Sequence, residues 1–237
     1  MRQLEYKIFR KGIYYTLSFI LVLWAVKSIE WSQDVDLGHY GIFPRTIKGS
    51  LGIITAPLIH GDIFHLFSNT LPLIVLGIGL FYFYHKIAAE VVFWIYLASG
   101  FWVWIIGRDA YHIGASGLVY GILAFLFFGG LLRKNSRSLA ISMVVFFMYG
   151  SMIYGLFPGD ENVSWESHLM GTMAGAFCAV YFRKYPIHTG KGQKLLAWDN
   201  EDINVGEERA INHTADSGTE FVYRVKSKDN LSDNSET

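Results

Sequence analysis

Ser116 has small residues on both sides and is followed by a long apolar segment, a setting that suits a serine acting as a nucleophile. Ser116 lies in the run Gly-Ala-Ser-Gly at 114–117, and the apolar residues 118–132 follow at once. A second apolar segment carries His168 at a similar distance from its own start. A serine hydroxyl becomes a good nucleophile when a neighbouring base takes its proton, and imidazole suits this role at neutral pH. A serine and a histidine at matched depth in a bilayer therefore predict peptide-bond chemistry inside the membrane.

Such chemistry also needs hydrogen-bond donors for the oxyanion of the tetrahedral intermediate. If Ser116 begins a helix, its amide is available, because first-turn amides lack intrahelical partners. His65 and Asn69 lie four residues apart in an earlier apolar segment, which places both side chains on one helix face. The alternative for these two residues is hydrogen bonding to neighbouring helices. His60, just ahead of that segment, suits an interfacial or packing role as well as a functional one.

The composition is that of a membrane protein. Of the 237 residues, 52% are hydrophobic and 17% are charged, whereas soluble domains carry about a quarter charged residues. The net charge is zero and gives no indication of nucleic-acid binding, which would call for a basic stripe. A single cysteine, Cys178, excludes an internal disulfide and leaves the redox compartment open.

Six segments approach or exceed the length needed to cross about 30 Å of hydrocarbon. They are residues 13–31, 64–84, 88–107, 116–132, 138–157 and 166–183. The first has a short apolar core that would also suit a signal peptide, but no small-residue cleavage site follows it. We therefore predict an all-α polytopic membrane protein with six transmembrane helices over 13–183. Residues 1–12 form a short amino-terminal segment, and the polar tail 184–237, rich in Asp and Glu, is expected to be disordered.

Positive charge is distributed unequally between the two sides of these segments. Lys and Arg accumulate in the amino terminus, in the loops around 86 and 133–137, and at 183–184, whereas the fifth loop has none. By the positive-inside rule, both termini are cytoplasmic. The second, fourth and sixth helices then enter from the outer face. At 1.5 Å of rise per residue, the candidate residues fall within about 10 Å of the outer surface. These residues are His65, Asn69, Ser116 and His168.

Small residues recur at every fourth position in two of the predicted helices. They are Gly117 and Gly121 in the fourth helix, and Gly171, Gly175 and Ala179 in the sixth. Such stripes allow close helix packing, which would bring Ser116 near His168. Packing alone is the alternative explanation for a serine between glycines. Tyr120 lies one turn after Ser116 and would stack on the His168 ring, with ordinary aromatic packing as its alternative.

These motifs together resemble the rhomboid intramembrane serine proteases. The family pattern combines a six-helix core, Gly-x-Ser-Gly at the start of helix four, His-x-x-x-Asn on helix two, and a histidine followed by glycines on helix six. The matching residues here are Gly114, Ser116, Gly117, Tyr120, His60, His65, Asn69, His168, Gly171 and Gly175. One departure lies in the first outer loop, where Arg45 corresponds to the arginine of a Trp-Arg pair and the tryptophan has no counterpart nearby.

The resemblance implies a serine endopeptidase with a catalytic dyad. Ser116 is the nucleophile, His168 is the general base, and the oxyanion hole is formed by Asn69, His65 and the Ser116 amide. No aspartate, metal or cofactor is required, and Glu166 is expected in a loop. The implied substrates are single-pass membrane proteins, admitted from the bilayer past helix five and the loop at 157–160. The implied location is the cell membrane, bacterial by the short loops, with the active site on the non-cytoplasmic side.

Two other functions fit parts of the pattern. The first is a catalytically silent relative that binds membrane clients, although such relatives usually lack the serine or the base. The second is a small transporter in which His60, His65 and His168 form a proton or metal path. The polar residues cluster near one face, and no internal repeat is visible, which disfavours transport. The substrate, its cleavage position, the oligomeric state and the role of the tail are not encoded in a readable form.

Overall fold

The computed structural model describes residues 3–133, 136–159 and 163–188, together with two short strands further along the chain. The chain divides into two units, residues 1–190 and 191–237. In the second unit, the strands β1 (His213–Thr214) and β2 (Glu220–Phe221) pair antiparallel. Apart from residues 184–188 and these two strands, the tail 184–237, predicted to be disordered, lies outside the described residues.

The first unit is helical. Its helices are α1 (Gln3–Gln33), α2 (Ile47–Ser50), α3 (Gly52–Thr55), α4 (Ile63–Phe83), α5 (Ala88–Ile106), α6 (Ser116–Leu132), α7 (Ser136–Tyr149) and α8 (Trp165–Tyr181). Three 3₁₀ segments, Gly38–Tyr40, Ala56–Leu58 and Gly150–Leu156, complete it. The prediction of an all-α domain is confirmed, and each of the six predicted spans overlaps a helix, the fifth overlapping α7 plus the last 3₁₀ segment.

Among the described residues, four helical segments are long and apolar enough to cross a membrane: α1, α4, α5 and the combined segment 136–156. Helices α6 and α8 have 17 residues each, which corresponds to about 26 Å. Most residues of α6 are buried by the surrounding helices. The number of spans and the orientation of the termini remain predictions.

Helix α6 packs most extensively against α8, as the small-residue stripes predict. A β-carbon on Gly171 would collide with the backbone of Gly117, and one on Gly175 would collide with the backbone of Gly121. The two backbones therefore touch directly, which only glycine at these positions allows. This contact joins the helix that begins with Ser116 to the helix that carries His168.

The loop between α1 and α4, which the sequence predicts as the first outer loop, is fixed to the end of α5 and to the segment before α6. Ile42 and His112 exchange two backbone hydrogen bonds of 2.9 Å. Arg45 donates to the Gly107 carbonyl at 2.8 Å, and its guanidinium pairs with Asp109. The indole of Trp104 donates to the Thr46 carbonyl at 2.8 Å. A tryptophan therefore does lie beside Arg45, contributed by α5 rather than by the loop itself.

Candidate active site

Ser116 is the first residue of α6 and is largely buried. The turn before it contains Gly114 with a φ of 105°, a conformation that glycine adopts readily and other residues rarely do. The Gly114 amide donates to the Ala56 carbonyl at 2.9 Å, which ties this turn to the first outer loop. Because Ser116 lies in the first helical turn, its amide has no carbonyl partner within the helix.

His168 lies in the first turn of α8 and is 9% exposed. Its Nδ1 is 2.8 Å from the Gly155 carbonyl oxygen, in the 3₁₀ segment that follows α7. A carbonyl oxygen only accepts, so Nδ1 carries the hydrogen of the neutral ring. Nε2 is then the basic nitrogen, available to take a proton.

Tyr120 and His168 form a stacked pair. Their ring centroids are 4.1 Å apart and the ring planes differ by 9°. The Tyr120 hydroxyl donates to the Met152 carbonyl at 2.9 Å. The stacking predicted from the sequence is therefore observed, and both rings are also bonded to the same 3₁₀ segment.

Ser116 and His168 are neighbours across the α6–α8 contact, but their side chains are not hydrogen-bonded to each other. Within the described part of the chain, the only hydrogen bond of the His168 ring is the one to Gly155. The backbone of Ser167 lies against Gly117, so the residues next to the two candidates touch. Catalytic hydrogen bonds are often long until substrate is bound.

His65 and Asn69 lie beside the turn that precedes Ser116. A β-carbon on Gly114 would be 2.7 Å from Cε1 and Nε2 of His65 and 3.9 Å from the amide nitrogen of Asn69. Asn69 is buried, and its side-chain amide donates to the His65 carbonyl at 3.1 Å. The Asp62 side chain caps α4 by accepting from the His65 amide at 2.9 Å, and this bond lowers the pKa of the Asp62 carboxyl. The structure thus brings both candidate donors to the serine turn.

His60 contacts the turn that precedes Ser116. It is 1% exposed, its Nε2 accepts from the Ala115 amide at 3.4 Å, and its ring packs edge-on against His65 at 5.1 Å. Burial lowers the pKa of His60 to about 4, which keeps the accepting nitrogen unprotonated. The Lys27 ammonium of α1 donates to the carbonyl of His60 at 2.9 Å. His60 therefore contacts the turn that precedes Ser116 and the neighbouring His65 ring.

The expectation that Glu166 lies in a loop is wrong. Glu166 is in the first turn of α8 and is buried, because the α8 helix is capped two residues earlier by the Ser164 side chain. Its carboxylate pairs with Arg108 of the loop between α5 and α6. A Ser followed by an acidic residue and an apolar run is a recognised helix-start signal and would have placed Glu166 correctly.

In the described residues, no three His, Cys, Asp or Glu side chains are arranged to hold a metal ion. The transporter alternative with a histidine metal path gains no support from them.

The helices and their composition define a multi-pass membrane protein. Residues 49–185 match the rhomboid domain, and the chain belongs to the rhomboid family. Uncharacterised proteins of Mycobacterium tuberculosis and Mycobacterium bovis are each 38% identical over 177 residues, which covers 69% of this chain and 72% of theirs. An uncharacterised protein of Mycobacterium leprae is 35% identical over 176 residues, covering 69% of this chain and 68% of its own. The resemblance read from the sequence motifs is thereby confirmed at the level of the family.

Proposed function

We propose that this rhomboid protein is an intramembrane serine endopeptidase with Ser116 as nucleophile and His168 as general base. The observation that carries the proposal is the tautomer and orientation of the His168 ring. The Gly155 carbonyl fixes the hydrogen on Nδ1, and Tyr120 holds the ring plane. A base is most useful when a third group sets its tautomer and orientation, and here a backbone carbonyl performs the task given to aspartate in other serine proteases.

In the proposed reaction, Ser116 Oγ attacks the carbonyl carbon of the scissile peptide bond while its proton moves to His168 Nε2. The tetrahedral intermediate then collapses, the carbon–nitrogen bond breaks, and Nε2 returns the proton to the leaving amine. Water hydrolyses the resulting ester, giving a carboxylic acid and restoring the serine hydroxyl. No metal or cofactor takes part.

The negative oxygen of the intermediate is stabilised by the Ser116 amide together with the side chains of Asn69 and His65. Asn69 uses one amide hydrogen for the His65 carbonyl, and an amide group has a second hydrogen to donate. Each such donor contributes about 10²- to 10³-fold to kcat in serine proteases.

The proposed substrates are single-pass membrane proteins that reach the site from the bilayer past α7 and the loop that follows it. Helix α7 buries only three of its 14 residues, so most of its surface is left uncovered by the other described helices. We place the protein in the cell membrane with the site open to the non-cytoplasmic side.

Labelling with a fluorophosphonate probe, followed by cleavage of a labelled single-pass transmembrane peptide, tests the proposal. We expect probe attachment at Ser116 and cleavage of the peptide by the wild-type protein in proteoliposomes. Both are lost in Ser116→Ala and in His168→Ala. Binding of the peptide without labelling or cleavage by the wild type would instead indicate a silent client-binding relative.

A further inference from the structure

A serine and a histidine are hydrogen-bonded at the positions four residues before Ser116 and His168, with the residue types exchanged. His112 is four residues before Ser116, and Ser164 is four residues before His168. The His112 Nδ1 and the Ser164 hydroxyl oxygen are 2.6 Å apart. This contact connects the loop that leads into α6 with the start of α8.

The direction of the hydrogen bonds follows from the partners. His112 Nε2 is 3.1 Å from the Arg108 carbonyl oxygen, which only accepts, so Nε2 carries the hydrogen of the neutral ring. Nδ1 then accepts the hydrogen of the Ser164 hydroxyl. Burial lowers the pKa of His112, which favours this neutral state. Ser164 in turn accepts from the Ser167 amide at 3.3 Å and thereby caps α8.

An ion pair reinforces the same connection. The Arg108 guanidinium lies 3.2 and 3.1 Å from the two carboxylate oxygens of Glu166, in the first turn of α8. It also donates to the Val163 carbonyl at 3.1 Å. The Glu166 side chain is 7% exposed, and a charge-assisted hydrogen bond of this kind is stronger than one between neutral groups.

The loop side of this connection is firmly anchored. The amide and carbonyl of His112 both bond to Ile42 of the first outer loop, and the His112 side chain is 1% exposed. The start of α8 is therefore attached, through Ser164 and Glu166, to a fixed point on the loop that leads into α6 and Ser116.

We infer that His112 and Arg108 are positioning residues that set the placement of His168 relative to Ser116 by holding the first turn of α8. The inference rests on the proposed protease function. The glycine contact between α6 and α8 fixes how closely the two helices approach, and the His112 and Arg108 bonds fix the first turn of α8, where His168 lies. Misplacement of a catalytic group by about 1 Å lowers the rate by as much as 10²-fold.

The His112–Ser164 pair itself is not a hydrolytic site. The Ser164 oxygen already contacts His112, the Ser167 amide and, at 2.7 Å, the Ser167 hydroxyl. A hydroxyl held in three contacts as a helix cap has no open approach for a carbonyl carbon.

Substitutions of Ser164 separate the His112 bond from the helix cap. Glycine retains most of the capping effect but has no hydroxyl, whereas threonine keeps both. We expect Ser164→Gly to lower kcat for the transmembrane peptide by about 10- to 100-fold, with KM changed less than about twofold. Fluorophosphonate labelling stays at Ser116 and slows in parallel. Ser164→Thr restores both rates to near the wild-type values.

The matched control is Asp109→Asn, which removes the neighbouring ion pair with Arg45 but makes no bond to α8; its rates stay at the wild-type values.

Glu166→Gln removes the charge that faces Arg108 and gives the same loss of kcat and labelling rate as Ser164→Gly. This second variant keeps the test open if the glycine variant unfolds. Thermal unfolding of each variant is measured alongside. Wild-type labelling and kcat in a folded Ser164→Gly or Glu166→Gln variant would overturn the inference. Absence of Ser116 labelling in the wild type would instead refute the proposed protease function.

Discussion

The ring of Tyr120 lies parallel to the ring of His168 at 4.1 Å, one helical turn below Ser116. Replacing Tyr120 by leucine removes an aromatic contact of about 0.5–1.5 kcal/mol, so we predict a fall in kcat of about tenfold. Tyr120→Phe keeps the stacked ring and loses the bond to Met152. It therefore retains most of the activity. Steady-state cleavage of the transmembrane peptide distinguishes the two variants, and equal loss in both would mean that the hydroxyl, not the stacking, matters.

Gly155 is the second position at which the environment of His168 can be disturbed. A β-carbon there would collide with the Tyr120 hydroxyl and lie 3.1 Å from His168 Nδ1. We predict that Gly155→Ala lowers fluorophosphonate labelling of Ser116 by at least about tenfold, since displacement of the ring misplaces the base. Gly150→Ala is the matched control in the same 3₁₀ segment, because its β-carbon would make only ordinary contacts with Phe146. Similar labelling in the two variants would contradict the prediction.

The glycine contact between α6 and α8 predicts that substitution of these glycines lowers the stability of the fold and not only the activity. Gly171→Ala forces a methyl group against the Gly117 backbone, and overpacking of this kind destabilises by about 1–3 kcal/mol. Gly79→Ala in α4 meets no atom within 4 Å and should leave stability unchanged. Thermal unfolding in detergent micelles measures both. An unchanged Tm in Gly171→Ala would show that the helices separate at little cost.

The buried His60 ring predicts sensitivity to acid. Its pKa in the folded protein is about 4, against about 6.5 in an unfolded chain. Between these values the unfolded chain binds a proton that the folded protein does not, so stability falls as the pH decreases from about 6.5 to 4. His60→Gln offers an oxygen to the Ala115 amide without titrating, and the decline of Tm with pH becomes shallower. His39→Gln, at an exposed ring, is the control and leaves the decline unchanged.

Contacts between residues of one helix, or between regularly spaced glycines of two helices, could be predicted from the sequence. Tyr120 and Ser116 share a face because they are four residues apart, and the glycines of α6 and α8 meet because their spacing matches. Likewise, His65 and Asn69 were placed together by helical periodicity alone.

The contacts made by loop residues could not be predicted from the sequence. Arg108 and Glu166 are 58 residues apart, and their meeting depends on the path of two irregular segments that no periodicity describes. The same holds for His112 and Ser164. The bond from His168 to Gly155 could not be predicted at all, because its acceptor is a backbone carbonyl and every residue type carries one.

The group that orients His168 therefore belongs to the main chain. Side-chain replacement at position 155 crowds the ring but never removes its acceptor, since any amino acid there would still supply the oxygen. Only a chemical change to the backbone itself alters the Gly155 carbonyl oxygen as an acceptor. An ester in place of the amide between Gly155 and Leu156 would leave a poorer acceptor for the imidazole without altering a single side chain.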